Sequence, residues 1–94
     1  MKYISTRGKS PAASFEEVVL TGLAPDGGLY IPESLPTVTP AQMEQWKHLS
    51  YAELAYEIIR LFVAGAVDDA ALKTMIDDSY AVFSDPEVAP LKHL

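Results

Sequence analysis

Residues able to do chemistry are few in this 94-residue chain. It has two histidines, His48 and His93, five lysines and three adjacent acid pairs, Glu16-Glu17, Asp68-Asp69 and Asp77-Asp78. Neighbouring residues on a helix point about 100° apart, so none of these pairs converges on one substrate atom. The first two pairs read as helix starts and the third as a solvated face. Neither histidine belongs to a metal-ligand spacing such as H-E-x-x-H. No serine sits in a G-x-S-x-G elbow, and there is no cysteine. A Schiff-base lysine must be desolvated in a pocket, whereas Lys2, Lys9, Lys47, Lys73 and Lys92 all sit in polar or terminal settings. The residues alone therefore assign no catalytic, cofactor-binding or metal-binding side chain.

Two stretches keep a functional reading open. The first 13 residues carry Lys2, Arg7 and Lys9 and no acid, which reads either as a solvated basic end or as a local site for an anion or an acidic neighbour. The dozen residues Gly22–Glu33 contain Pro25-Asp26-Gly27-Gly28, a tight turn by composition: proline sets φ, aspartate bonds its own backbone, and glycine takes positive φ freely. That turn is either ordinary surface punctuation or a rigid loop whose amides and Asp26 face a ligand or a neighbouring domain. It is not a dinucleotide fingerprint, because the glycines precede a strand instead of following one.

The elements that must hold these stretches follow from capping and periodicity. Tyr3–Thr6 and Leu29–Ile31 read as short strands that satisfy each other's backbone groups, with Pro32 stopping the second. Ser14-Phe15-Glu16-Glu17 is a capping box opening a helix over 15–21, which Gly22 ends, with Leu23 as the apolar contact beyond it. Thr39-Pro40-Ala41-Gln42 opens a helix over 40–47, and Ser50-Tyr51-Ala52-Glu53 opens another over 51–64. In the latter, Leu54, Ile58, Leu61 and Phe62 make an apolar stripe, while Glu57 and Arg60 lie opposite and are spaced to pair. Asp68 caps a helix over 69–83 with Leu72, Met75, Ile76, Tyr80 and Phe83 on one face, and Asp85-Pro86 stops it. The expected fold class is α+β and mostly helical, about four helices packed with a small two-stranded β-ribbon. Residues 1–86 form the domain. Residues 87–94, ending on an apolar Leu94, look like the start of a connector to a further element.

Composition narrows the partners. A hydrophobic share of 49% supports a real core. The net charge of −6 repels phosphate backbones, so nucleic-acid binding is not expected. The longest apolar tract, Leu54 to Val67, is interrupted by Glu57 and Arg60 and is too short to span a bilayer. No secretory signal pattern is present, and the absence of cysteine agrees with a cytoplasmic setting.

Several segments together resemble one known family. They are Met1-Lys2-Tyr3-Ile4-Ser5-Thr6-Arg7-Gly8, Ser14-Phe15-Glu16-Glu17, Gly22-Leu23-Ala24-Pro25-Asp26-Gly27-Gly28-Leu29-Tyr30-Ile31-Pro32-Glu33, Trp46 ahead of Leu49-Ser50-Tyr51, Tyr80, and Val88-Ala89-Pro90-Leu91. Over essentially the whole chain they are similar to the N-terminal domain of threonine synthase. The resemblance implies an enzyme that converts O-phospho-L-homoserine and water to L-threonine and phosphate with pyridoxal phosphate. In that family the cofactor lysine lies in a Gly-Pro-Thr-x-Ala-Phe-Lys-Asp-like segment after this domain, and no lysine here matches it. The segment alone is thus expected to be inactive and to bind no cofactor. Its implied partners are the catalytic domains of the same polypeptide and, in the whole enzyme, a small-molecule substrate. Ser5, Thr6, Arg7, Asp26, Gly27 and Gly28 are the implied cleft-facing residues, with Arg7 suited to an anion by its planar fork. The competing reading is a free-standing helical interaction module without enzymatic activity.

Overall fold

The computed structural model describes residues 1–63, 65–85 and 87–93. Ala64 at the end of the expected third helix, Pro86 of the Asp85-Pro86 stop and the apolar Leu94 lie outside the described residues. The order is β1 (Lys2–Ser5), β2 (Ala13–Ser14), α1 (Phe15–Thr21), β3 (Tyr30–Pro32), α2 (Pro40–Trp46), α3 (Tyr51–Val63) and α4 (Asp69–Ala81). The α+β class with four helices agrees with the sequence. Two compact units divide these elements: Met1–Thr37 with Leu61–Ala66, and Val38–Arg60 with the residues from Val67 onward.

The first unit is built on an antiparallel sheet of three strands in the order β2-β1-β3, one strand more than the expected ribbon. The added strand pairs Ala13 with Tyr3 and Ser14 with Lys2. Two residues are too few to show alternation, so nothing in the local sequence announces it. On the other edge Tyr3, Ile4 and Ser5 face Pro32, Ile31 and Tyr30. The strand ends at Pro32, but with the proline as its last residue and not as the first one beyond it. The Thr6 amide donates to Leu29 O at 2.8 Å and the Glu33 amide to Lys2 O at 2.9 Å. Ladder bonds in an antiparallel pair fall on alternate residues, so Pro32 occupies a position between them on an edge strand, where its missing N–H is not needed. Thr6 leaves the strand for a turn that the Gly8 amide closes onto Ser5 O at 3.0 Å.

Alternation in β1 turns Tyr3 and Ser5 inward, at 8% and 5% exposure. Tyr3 joins Ala13, Ala24 and Val63 in the buried set of this unit. Its ring centroid lies 6.1 Å from that of Phe15, and its hydroxyl donates to Phe62 O at 2.5 Å. Helix α1 begins at Ser14, whose Oγ accepts from the Glu17 amide at 3.3 Å. Glu17 returns to the Ser14 hydroxyl at 3.1 Å and not to its amide, Ser14 being at once cap and strand residue. Gly22 ends the helix at φ +77°, its amide on Val18 O. Leu23 does not make the expected apolar contact, being 63% exposed.

In the second unit, Thr39 makes both bonds of its capping box with Gln42, and Pro40 fills the first helical position. Ser50 Oγ accepts from the Glu53 amide and Asp68 from the Ala71 amide. Leu72 and Ile76 are buried, and Tyr80 meets Tyr51 edge-on at 5.0 Å. Helix α4 ends at Ala81, two residues before the expected 83, so Phe83 lies beyond it and stays half exposed against Tyr80. Arg60 and Glu57 pair as their spacing suggested, at 3.2 Å. No helix among the described residues is long and apolar enough to cross a membrane.

Candidate functional site

The six residues singled out in the two loops come together in the first unit. Their centre is the carboxylate of Asp26, carried by the turn that leads into β3. Ser5, at the inward-facing end of β1, places its Oγ 2.7 and 2.8 Å from the two carboxylate oxygens and donates across them. The Gly28 amide donates to Oδ1 at 2.9 Å and the Lys9 amide to Oδ2 at 2.9 Å. The Asp26 amide in turn donates to Ser10 Oγ at 3.2 Å. The two loops are 16 to 21 residues apart in sequence at these bonds, and one side chain stitches them.

Arg7 is held at both ends. Its amide donates to Ser5 Oγ at 3.1 Å, and its Nη1 donates to the Asp26 carbonyl at 3.0 Å. Thr6 adds a second seam: its hydroxyl accepts from the Leu29 amide at 3.0 Å. The two glycines let the loops approach this closely. Gly27 stands at φ +84°, and a Cβ there would lie 2.6 Å from Arg7 Nη1. Gly28 is buried, and a Cβ there would overlap Ser5 Oγ. The sequence marked Lys9 only for its charge, and Ser10 not at all. Their contribution is a backbone amide and a cap-like hydroxyl, and such groups leave no compositional mark.

The electrostatics follow from the donors. The Ser5 hydroxyl is the largest influence on the Asp26 carboxyl; partial burial opposes it, and the Gly28 and Lys9 amides add to it. The result holds Asp26 down to about 2. A carboxylate of that acidity, already accepting three donors, is a poor general base near neutral pH. What the arrangement offers is an exposed guanidinium fixed in place beside two locked turns, a setting suited to holding an anion or a neighbouring surface.

The other chemically capable residues stay apart. His48 and His93 are exposed. Asp77 faces Lys73 at 3.9 Å, and Glu17 belongs to its helix cap. Among the described residues, no group of three or more acids and histidines could hold a metal ion. In the second unit an apolar depression of about 260 Å³ is lined by Tyr51, Leu54, Ala55, Ile58, Ile59 and Tyr80 and holds no acid or base beyond its tyrosine hydroxyls.

This fold recurs as one domain of threonine synthases. A PLP-bound threonine synthase from Brucella melitensis superposes with a TM-score of 0.94 at 38% identity, over 99% of this chain and 20% of its own. The threonine synthase of yeast follows at 0.88 and 46% identity, over 95% of this chain and 18% of its own. With residues 2–80 matching the family described as threonine synthase N terminus, the chain belongs to that family. In sequence it is 51% identical to a threonine synthase of Pseudomonas aeruginosa across its full length, and spans 20% of the length of that relative.

Pyridoxal phosphate, bound by the Brucella protein, needs a lysine desolvated in a pocket for its Schiff base. Lys2, Lys9, Lys47, Lys73 and Lys92 are all exposed. Lys47 and Lys73 lie against Glu44 and Asp77. No lysine of this chain fits that Schiff-base role.

Proposed function

We propose that this chain is the leading domain of a threonine synthase, which converts O-phospho-L-homoserine and water to L-threonine and phosphate with pyridoxal phosphate supplied and held by later domains. Residues 1–86 form the domain and 87–94 begin the connector. The domain carries no catalytic lysine and is inactive alone; its share is to pack on the cofactor site and help close it. Its partners are the catalytic domains of the same polypeptide and the small-molecule substrate, not nucleic acid, in the cytoplasm. Ser5, Thr6, Arg7, Asp26, Gly27 and Gly28 face the cleft, with Arg7 as the contact to an anionic group.

The observation that carries this reading is the 51% identity along the whole chain to a threonine synthase. The double anchoring of Arg7 supports its role, because a fixed guanidinium loses little freedom when it engages an oxyanion. Family membership leaves the free-standing interaction module without an observation in its favour.

The test is Arg7→Ala in the full-length enzyme. A charge-assisted hydrogen bond is worth roughly 1.5–3 kcal/mol, so the apparent KM for O-phospho-L-homoserine rises at least about tenfold. If the contact is equally strong before and during the reaction, kcat is retained. Unchanged kinetics together with unchanged stability would remove both the anion contact and the docking role.

A further inference from the structure

We propose that Asp26 is a positioning residue that acts through Arg7, its carboxylate holding the Ser5–Ser10 loop in the one geometry that presents the guanidinium. The proposal rests on Arg7 meeting an anion of the substrate and goes beyond it by naming what orients that side chain.

The connectivity carries it. Among the described residues Arg7 has two anchors, and Asp26 stands behind both. The amide anchor is Ser5 Oγ, and that hydroxyl is fixed by its bonds to the two carboxylate oxygens. The guanidinium anchor is the Asp26 carbonyl itself. The carboxylate also holds the Lys9 amide two residues beyond Arg7 and the Gly28 amide two residues beyond itself. It therefore pins the Arg7 segment from both sides of Arg7 and fixes the turn whose carbonyl receives Nη1. The space over Gly27 is taken by the guanidinium carbon and both terminal nitrogens, so the arginine lies on the turn that its partner shapes.

Asparagine at position 26 cannot reproduce this. A carboxamide offers one acceptor oxygen. Turned to serve Gly28, it presents its own N–H₂ group to the Lys9 amide, donor against donor; turned the other way, it does the same to Gly28. Ser5 then loses one of its two acceptors, and the Arg7 amide loses a fixed partner.

The experiment is a double-mutant cycle in the full-length enzyme, with wild type, Asp26→Asn, Arg7→Ala and the pair, reading KM and kcat for O-phospho-L-homoserine. Asp26→Asn raises KM roughly three- to tenfold with kcat retained, the sign of lost binding that is uniform along the reaction. The double variant has the KM of Arg7→Ala alone, because a positioning residue has nothing left to position. If the two KM effects multiply, Asp26 does not act through Arg7 and the proposal is overturned, while the anion contact of Arg7 stands. If Arg7→Ala alone behaves as wild type, the anion contact falls and this proposal falls with it. Should Asp26→Asn yield no folded enzyme, Ser5→Ala takes its place in the cycle, removing the hydroxyl that links the carboxylate to the Arg7 amide, with the same two outcomes deciding.

Discussion

Replacing Gly28 by alanine tests whether the two loops are as tightly joined as their bonds imply. Gly28 is buried, and a Cβ built there overlaps Ser5 Oγ and comes within 3.0 Å of both Asp26 Oδ1 and Thr6 Oγ1. None of the three is the free end of a long flexible chain. Forcing a methyl group into packed surroundings costs about 1–3 kcal/mol. Driving the Ser5 hydroxyl, itself 5% exposed, off its partners adds about 1 kcal/mol. The expected loss is therefore about 2–4 kcal/mol in urea unfolding of this chain. Gly8→Ala is the control. Gly8 has φ +71° and nothing within 4 Å of a built Cβ, so it incurs only the strain of a left-handed alanine, about 1–2 kcal/mol. The decisive measurement is Ser5→Ala combined with Gly28→Ala. Deleting the hydroxyl opens the space the methyl group needs, so the double variant is more stable than the sum of the single losses by 1 kcal/mol or so. Additive losses would refute the claim that these side chains share one packed seam.

Two further predictions concern titration and the core. The Asp26 carboxyl sits at about 2 in the folded chain against roughly 3.9 when unfolded. Its stabilisation is thus complete above about pH 4 and lost as pH falls through about 2. The melting-temperature gap between wild type and Asp26→Asn stays level from neutral pH to about 4 and narrows below it; a gap constant down to pH 2 would contradict the network. Burial pushes the Tyr3 hydroxyl above its usual value, and it donates to Phe62 O at 2.5 Å. Tyr3→Phe leaves that carbonyl without its partner and costs about 1–3 kcal/mol, measurable by denaturant unfolding. Because the folded value is raised, that gap is full below about pH 10 and closes as pH climbs further; a gap that widens there counts against the buried phenol.

What the sequence disclosed and what it hid divide along the range of the interactions. Helix starts were legible because caps are local: Ser14, Thr39, Ser50 and Asp68 each accept an amide three residues ahead. Helix α1 and the starts of α2, α3 and α4 lie where those caps put them. The β2 strand was hidden because a two-residue strand exists only through its partner, Tyr3 and Lys2 across the sheet. That Pro32 would be the last residue of its strand and not the first beyond it was hidden for a related reason: whether a strand tolerates proline depends on the phase of the ladder, which the strand's own residues do not carry. At the candidate site, glycine and aspartate marked Asp26-Gly27-Gly28 as unusual backbone, and Ser5, Thr6 and Arg7 stood out through the family resemblance. The hub itself was beyond reach. That Asp26 would take its donors from Ser5 and the Lys9 amide is a fact about two distant turns meeting, and loop closure of that kind has no periodic signature.

The position of β1 in the sheet bears on how the chain assembles during synthesis. The strand made first is the middle one, so it leaves the ribosome with both edges bare. Its neighbour at Ala13–Ser14 arrives within a few residues, but the opposite edge waits until Tyr30–Pro32 has emerged. The sheet is therefore complete only once that third strand is out, and until then β1 keeps an open edge of the sort that invites mispairing.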